Sequence, residues 1–294
     1  MATDTLEGHL PLVVIAGPTA SGKTTLAIEV AEAFGGEIIC ADSRTVYKGM
    51  DIGTAKPTSI EQARVPHWGL DLVEPDKRFT AADFKLYAND KIGEIRSRGH
   101  IPFLVGGTGL YVDAVLFDYE FGPVVDLKQR EMLESMSLLE LHEYCERNNV
   151  KLPDNDRNKR YVIRAIEQKC INSKRRHGPI GNSIIVGIAT DKLILRKRIE
   201  DRVEQLFEDG VVEEATLLGE KYTWDSEAMT GNIYRILRTY LNGQLSLKES
   251  MDKNIISDWR LAKRQLTWLR RNPYIKWGTL EETREYLFRA LAKR

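Results

Sequence analysis

Cysteine, net charge and long apolar runs are all scarce in this chain of 294 residues. The three cysteines, Cys40, Cys145 and Cys170, are odd in number and far apart, with no C-x-x-C pair and no histidine at zinc-ligand spacing. A disulfide framework and a zinc finger are therefore excluded, and a reducing cytosol is the simplest setting. The 43 basic and 43 acidic residues cancel, so any nucleic-acid binding must come from local clustering rather than overall charge. No apolar run approaches the roughly 18 residues that a membrane span needs. Residues 1–9 carry Asp4 and Glu7 but no basic signal-type region. The expectation is a cytoplasmic protein, neither secreted nor membrane-embedded. There is no internal repeat or low-complexity tract. With 42% apolar and 29% charged residues, the chain can bury one substantial core and hold two lobes.

What is present begins with Gly17, Pro18, Thr19, Ala20, Ser21, Gly22, Lys23 and Thr24. These fit the phosphate-binding template G-x-x-x-x-G-K-[ST] with nothing missing. The buried-strand pattern Leu12–Ala16 precedes them, and a helical pattern starts near Lys23, with Leu26, Ala27, Val30, Ala31 and Phe34 on one face and Gly35 and Gly36 as its stop. Glycine at both ends lets the backbone curl so that successive N–H groups point at an anion, and the helix adds its positive end. A diphosphate or triphosphate is expected there, with Lys23 as a point charge on the outer phosphate and the Thr24 hydroxyl as a magnesium ligand.

The rest of the chain extends an α/β pattern. Residues 38–41 read as a second buried strand that ends at Asp42 and Ser43. Residues 44–78 read as a loop-rich segment over the crevice. A capping box at Thr80 and Asp83 opens a helix to about Arg98, and residues 101–105 form a third strand followed by the turn Gly106, Gly107, Thr108, Gly109. Residues 118–180 have no strand-like run and two helical patterns, 137–147 and about 156–169. Strand-like sequence returns at 183–188, followed by one charged helix over 192–218, a last long helix capped at Ser246 and ended by Asn272 and Pro273, and an edge strand near 274–277. The expected fold is a P-loop NTPase-like parallel sheet flanked by helices. Its core comprises 1–117 and 181–294, and 118–180 is an inserted small helical lobe.

In such a sheet the strand C-termini line the ligand crevice, so Asp42 arrives beside the phosphate loop. It can hold magnesium through water, or accept a proton from a nucleophile attacking the bound phosphate ester. Thr108 can donate to an oxygen that develops charge as a diphosphate leaves, although the glycine-rich turn around it is also ordinary turn chemistry. Between Arg157 and Arg176, eight basic residues (Arg157, Lys159, Arg160, Arg164, Lys169, Lys174, Arg175, Arg176) face one acidic residue, Glu167. On a helix Arg157, Arg160 and Arg164 share a face opposite Val162, Ile163 and Ile166. A second stripe comprises Arg260, Lys263, Arg264 and Arg271. Each stripe alone is ordinarily a solvated helix face; two in a neutral protein favour a polyanionic partner. Trp259, Trp268 and Tyr161 lie beside them, as stacking platforms or as core aromatics.

Together these residues resemble the tRNA dimethylallyltransferase family, also called tRNA isopentenyltransferases, which prenylate the adenosine just 3′ of the anticodon. The likeness runs through residues 17–24, then 42–57 (DSRTVYKGMDIGTAKP), which is far more family-specific than the phosphate loop. It continues through 102–111 (PFLVGGTGLY), 164–167, Tyr234 and Arg235, and 261–270 (LAKRQLTWLR). The resemblance implies that the loop holds dimethylallyl diphosphate rather than a nucleoside triphosphate. It implies that Asp42 accepts a proton from the adenine exocyclic amine, that Thr108 supports the departing oxygen and Arg235 the diphosphate, and that magnesium sits on Thr24. It implies that the tRNA anticodon stem-loop is gripped by Asp42, Ser43, Arg44, Thr45, Arg157, Lys159, Arg160, Arg164, Arg260, Lys263 and Arg264, in a monomer. The sequence departs from the family pattern at Ile233, where glycine is usual, and at Trp259, where arginine is common. Competing functions are an adenylate isopentenyltransferase, a P-loop small-molecule kinase and a non-enzymatic RNA-binding protein. The paired basic stripes speak against the first two, and the joint presence of Lys23 and Asp42 against the third.

Overall fold

The computed structural model describes residues 10–122, 126–168 and 175–293. Lys169, Cys170 and Lys174 of the sequence reading lie outside the described residues, as do residues 1–9. The chain forms two compact units, Met1–Leu116 with Gly181–Arg294, and Phe117–Ile180.

In the larger unit, β1 (Leu12–Ala16) is buried at every position, as a continuous apolar run demands, and it feeds the phosphate loop into α1 (Lys23–Phe34). Gly35 ends that helix in the left-handed region at φ 64°. Then come β2 (Gly36–Cys40), α2 (Ser59–Arg64), β3 (His67–Trp68), α3 (Ala81–Ser97), β4 (Ile101–Gly106) and α4 (Gly109–Leu116). The segment expected to be loop therefore contains a helix and an edge strand. The helix α2 buries none of its residues and so has no apolar period to read; its one signal is the capping box of Thr58 and Glu61. The opposite reason hid α4, which is buried at nearly every position and so has no polar face to set a period.

After the smaller unit the chain returns through β5 (Ser183–Ile188). The single charged helix expected over 192–218 is two, α8 (Lys192–Glu208) and α9 (Val211–Tyr222), because Gly210 turns the backbone to φ 96°. Three further helices follow, α10 (Asn232–Leu241), α11 (Leu247–Leu269) and α12 (Leu280–Ala292), with β6 (Lys276–Gly278) between the last two. Neither α10 nor α12 was anticipated, so α11 is not the last helix.

The strands order as β3-β2-β4-β1-β5-β6, all parallel, with Val14 registered against Leu104 on one side and Ile185 on the other. One sheet face packs Val13, Ile15, Phe103 and Val186 against Leu26 and Val30 of α1 and Leu287 and Leu291 of α12. Because the strands are parallel, the ends of β1, β2 and β4 fall on one edge. They deliver the phosphate loop, Asp42 and Thr108 there together.

The smaller unit is helical: α5 (Leu127–Ser135), α6 (Leu138–Arg147) and α7 (Lys159–Gln168) enclose Leu133, Leu141, Cys145, Val162, Ile163 and Ile166. Among the described residues no helix is long and apolar enough to cross a membrane.

Candidate functional site

The loop after β1 is held open from behind. Ala20 and Gly22 adopt left-handed backbone, with φ 60° and 89°, and a Cβ on Gly17 would lie 2.7 Å from Ser21 Oγ. These constraints fix a curl that only glycine fills at its ends. Two arginines one turn apart on α8 brace the curl: Arg198 donates to the Ser21 carbonyl at 3.1 Å and Arg202 to the Thr19 hydroxyl. From α11, the Gln265 side-chain oxygen accepts the Thr19 amide at 2.8 Å. The helices α8 and α11 reach the loop because Leu195, Ile199 and Ala262 pack together, with Ala20, Ile255, Trp259 and Leu266 against them. Burial pulls the Lys23 ammonium down to a pKa of about 8; nearby Asp42 opposes this and Arg202 reinforces it.

Asp42 and Thr108 stand beside the loop. One Asp42 oxygen accepts the Arg44 amide at 2.8 Å, an Asx-type turn that fixes the carboxylate's direction. The Thr108 hydroxyl accepts the Ser43 amide at 3.1 Å, so its own proton is free to point elsewhere. Below them the Cys40 thiol is pushed up to about 12, by burial first and then by Asp42, and stays protonated and inert.

These groups line one cavity of about 310 Å³ that holds Thr19, Lys23, Thr24, Asp42, Ser43, Arg44, Thr45 and Thr108. The same lining includes Arg202, Asn232, Asn254, Asp258, Arg264 and Gln265. Asn254 is fully buried and neither of its amide atoms has a partner. At one end, Gly53, Thr54 and Ala55 complete the lining. A latch holds that loop: the Glu214 carboxylate accepts the amides of Asp51, Ile52 and Gly53 at 2.8, 2.7 and 2.9 Å and the Tyr234 hydroxyl at 2.7 Å. Lys56, buried beneath, bonds Asp51, Asp71 and the Tyr47 carbonyl. Among the described residues no three His, Cys, Asp or Glu side chains gather into a metal cage. The Thr24 hydroxyl, next to Lys23, and the Asp42 carboxylate are oxygens of this lining of the kind that hard cations take.

The remaining expected residues are placed less uniformly. Arg235 is exposed on α10 and is not among the residues that line the cavity, although its neighbours Ile233 and Tyr234 are. Arg260, Lys263 and Arg264 are all exposed on α11, and of the three only Arg264 is among the residues that line the cavity. Trp268 donates to Asp113 at 2.7 Å and packs on Gly109, and Trp259 joins the α8–α11 core with Lys263 over its ring at 5.1 Å. Both tryptophans are therefore built into the unit's own packing. In the smaller unit, Arg157 precedes α7 instead of sharing its face, and lies exposed with Arg160. Arg164 pairs with Glu167 at 3.3 Å, and Lys159 donates to the Glu134 carbonyl. Tyr161 is 52% exposed.

Sequence reasoning missed Arg202, Asn254, Asp258, Gln265 and Glu214. Arg198 and Arg202 carried a usable signal, a basic pair at four-residue spacing on an otherwise amphipathic helix. Nothing local marks the others.

A family model described as IPP transferase matches residues 45–272. The chain is 38% identical to a tRNA dimethylallyltransferase from Bacillus pumilus over 91% of its own length and 89% of that protein. It is 41% identical to one from Geobacter sulfurreducens, covering 90% of this chain and 91% of the relative. Its structure is similar to the crystal structure of a tRNA isopentenylpyrophosphate transferase from Bacillus halodurans, with a TM-score of 0.74 at 35% identity, covering 96% of this chain and 97% of that one.

Proposed function

We propose, since this chain belongs to the IPP transferase family, that it transfers a dimethylallyl group from dimethylallyl diphosphate to tRNA and releases diphosphate. The acceptor is the exocyclic amine of the adenosine 3′ to the anticodon. One observation carries the reading: a phosphate loop, a directed carboxylate and a hydroxyl with a disposable proton line a single cavity. The amine lone pair attacks the allylic carbon, the carbon–oxygen bond breaks, and its electron pair leaves on the diphosphate. Asp42 takes the amine proton, and Thr108 turns its proton to the departing oxygen. The phosphate loop, residues 17–24, holds the diphosphate through Lys23 and the amides at the start of α1. Magnesium, when bound, would be held through the Thr24 hydroxyl and would supply Lewis-acid stabilisation of the leaving group. The base has to leave its stack to enter the cavity. Ser43, Arg44, Thr45 and Arg264 line its path, and the exposed Arg157, Arg160, Arg260 and Lys263 suit RNA phosphates. The acting species is a monomer in the cytoplasm.

Wild-type protein, magnesium, unmodified tRNA and dimethylallyl diphosphate test this directly. Mass analysis of nuclease-digested tRNA is expected to show one added five-carbon unit on that adenosine, with ATP unable to replace the donor. Modified free AMP with untouched tRNA would move the chain to the adenylate isopentenyltransferases, and phosphorylation of a metabolite would move it to the kinases.

A further inference from the structure

We infer that Arg202 is a direct ligand of the donor's diphosphate, the position that the family resemblance reserves for Arg235; the inference deepens the reading above and rests on it. Arg202 lines the cavity with Lys23 and Thr24, whereas Arg235 is exposed and outside the lining. One guanidinium nitrogen of Arg202 is spent on the Thr19 hydroxyl of the phosphate loop, which fixes the fork in place. Its Nε is buried and has no partner. A buried, unsatisfied N–H on a cation is costly, and a planar guanidinium satisfies its donors best on phosphate or carboxylate oxygens.

The second strand of the argument is charge. Lys23 and Arg202 face one cleft closely enough to repel, and among the described residues neither forms an ion pair. The carboxylates within electrostatic reach are Asp42 for Lys23 and Asp258 for Arg202; Asp258 is itself pushed up by burial, with Arg202 and Asn232 opposing. Two cations without a bonded counter-ion in a desolvated cleft are a site built for an anion. A diphosphate is the only group of the proposed reaction that is anionic at that end. When the carbon–oxygen bond breaks and the electron pair passes to the diphosphate, Arg202 meets the added charge with hydrogen bonds already positioned by Thr19.

The test is calorimetric titration of inorganic diphosphate, with magnesium, into the full chain. Arg202→Gln is expected to weaken diphosphate binding by about 10- to 100-fold, as loss of a charge-assisted pair should, and Arg202→Lys to recover part of it. Recovery by lysine is a reading that a purely structural role would not move, because lysine restores the charge without the guanidinium's bond to Thr19. Unchanged affinity in Arg202→Gln, no recovery in Arg202→Lys, or a loss carried by Arg235→Gln instead would overturn the inference. If Arg202→Gln does not fold, Arg202→Lys should still bind diphosphate more weakly than wild type, because it lacks the fork, and unchanged affinity there would overturn the inference. Wild-type protein that binds diphosphate but prenylates no tRNA would refute the proposed function and leave the anion site standing.

Discussion

The strand β2 carries a carboxylate near each end, Glu37 at its start and Asp42 just past its finish, and the two are treated in opposite ways. Glu37 is 2% exposed, and each of its oxygens is filled: Arg98 bonds both in a fork at 3.0 and 2.8 Å, His100 sits at 2.7 Å and Trp68 at 2.6 Å. Burial pushes this carboxyl up, but the bonds from Arg98, His100 and Trp68 outweigh it and hold the group at about 2. Asp42 is half-buried, is aimed by a single backbone amide, and shares its cavity with Lys23 and Arg202. A buried charge whose hydrogen-bonding capacity is used up belongs to the fold. Charges left with open capacity at the C-terminal edge of a parallel sheet belong to the chemistry.

The comparison breaks most sharply at Asp42. Asp42→Asn keeps the shape and cannot take a proton, so transfer should fall by on the order of 10²- to 10⁴-fold while tRNA affinity, measured by filter binding, is retained. Turnover near the wild-type rate would place the base elsewhere and dissolve the contrast.

At the other end, Glu37→Gln should cost about 1–3 kcal/mol of stability in denaturant unfolding, because Arg98 and His100 lose their charged acceptor, with activity unaffected. The pH dependence follows from the direction of the shift. Because the folded carboxyl lies below the value of 4.5 for an unperturbed group, the unfolded chain binds the proton first. The contribution is thus complete above pH 4.5 and is lost as pH falls toward 2. The variant should lack that component of acid sensitivity; an identical acid profile would show that Glu37 is not held as described.

A smaller effect is expected at Glu214, which belongs to neither end but sets one wall of the cavity. Glu214→Gln weakens the latch on Asp51, Ile52 and Gly53, so kcat/KM for tRNA should drop by roughly tenfold while donor affinity stays within error. Equal losses for both substrates would mean that the variant disturbs the whole cavity, not the acceptor end.

The smallest effect extends the same contrast to the helical unit, where Arg164 is paired with Glu167 and Arg157 and Arg160 are exposed. Changing Arg157 and Arg160 to Gln should flatten the salt dependence of tRNA binding by about 0.7 to 0.9 per lost phosphate contact; Arg164→Gln should change it less. A slope set by Arg164 instead would reverse the assignment.

Much of this molecule is readable without coordinates wherever the signal is local. The strands β1 and β5 have the bounds that their apolar runs suggest, and the capping boxes at Thr80 and Ser246 start helices where capping chemistry says they should. The phosphate loop is a contiguous motif whose physics is complete in eight residues. Local signals fail for α2, which has no buried face, and for α4, which has almost no exposed one; α10 carries an amphipathic period that the sequence reading passed over, with Ile233, Tyr234 and Leu237 on its buried side.

The sequence by itself determined the parallel α/β plan, the anion loop, and the placement of Asp42 and Thr108 at strand ends, because those follow from short-range periodicity and from the rule that parallel strands point their C-termini the same way. Only the tertiary structure decided which arginine lines the cavity and which tryptophans are core. The exposed Arg235 and the cavity-lining Arg202 have the same side chain, and no local pattern says which of them faces the cleft. What separates them is the packing of α8 against α11 beneath Ala20, a contact between distant parts of the chain that turns one guanidinium onto Thr19 and leaves the other in solvent.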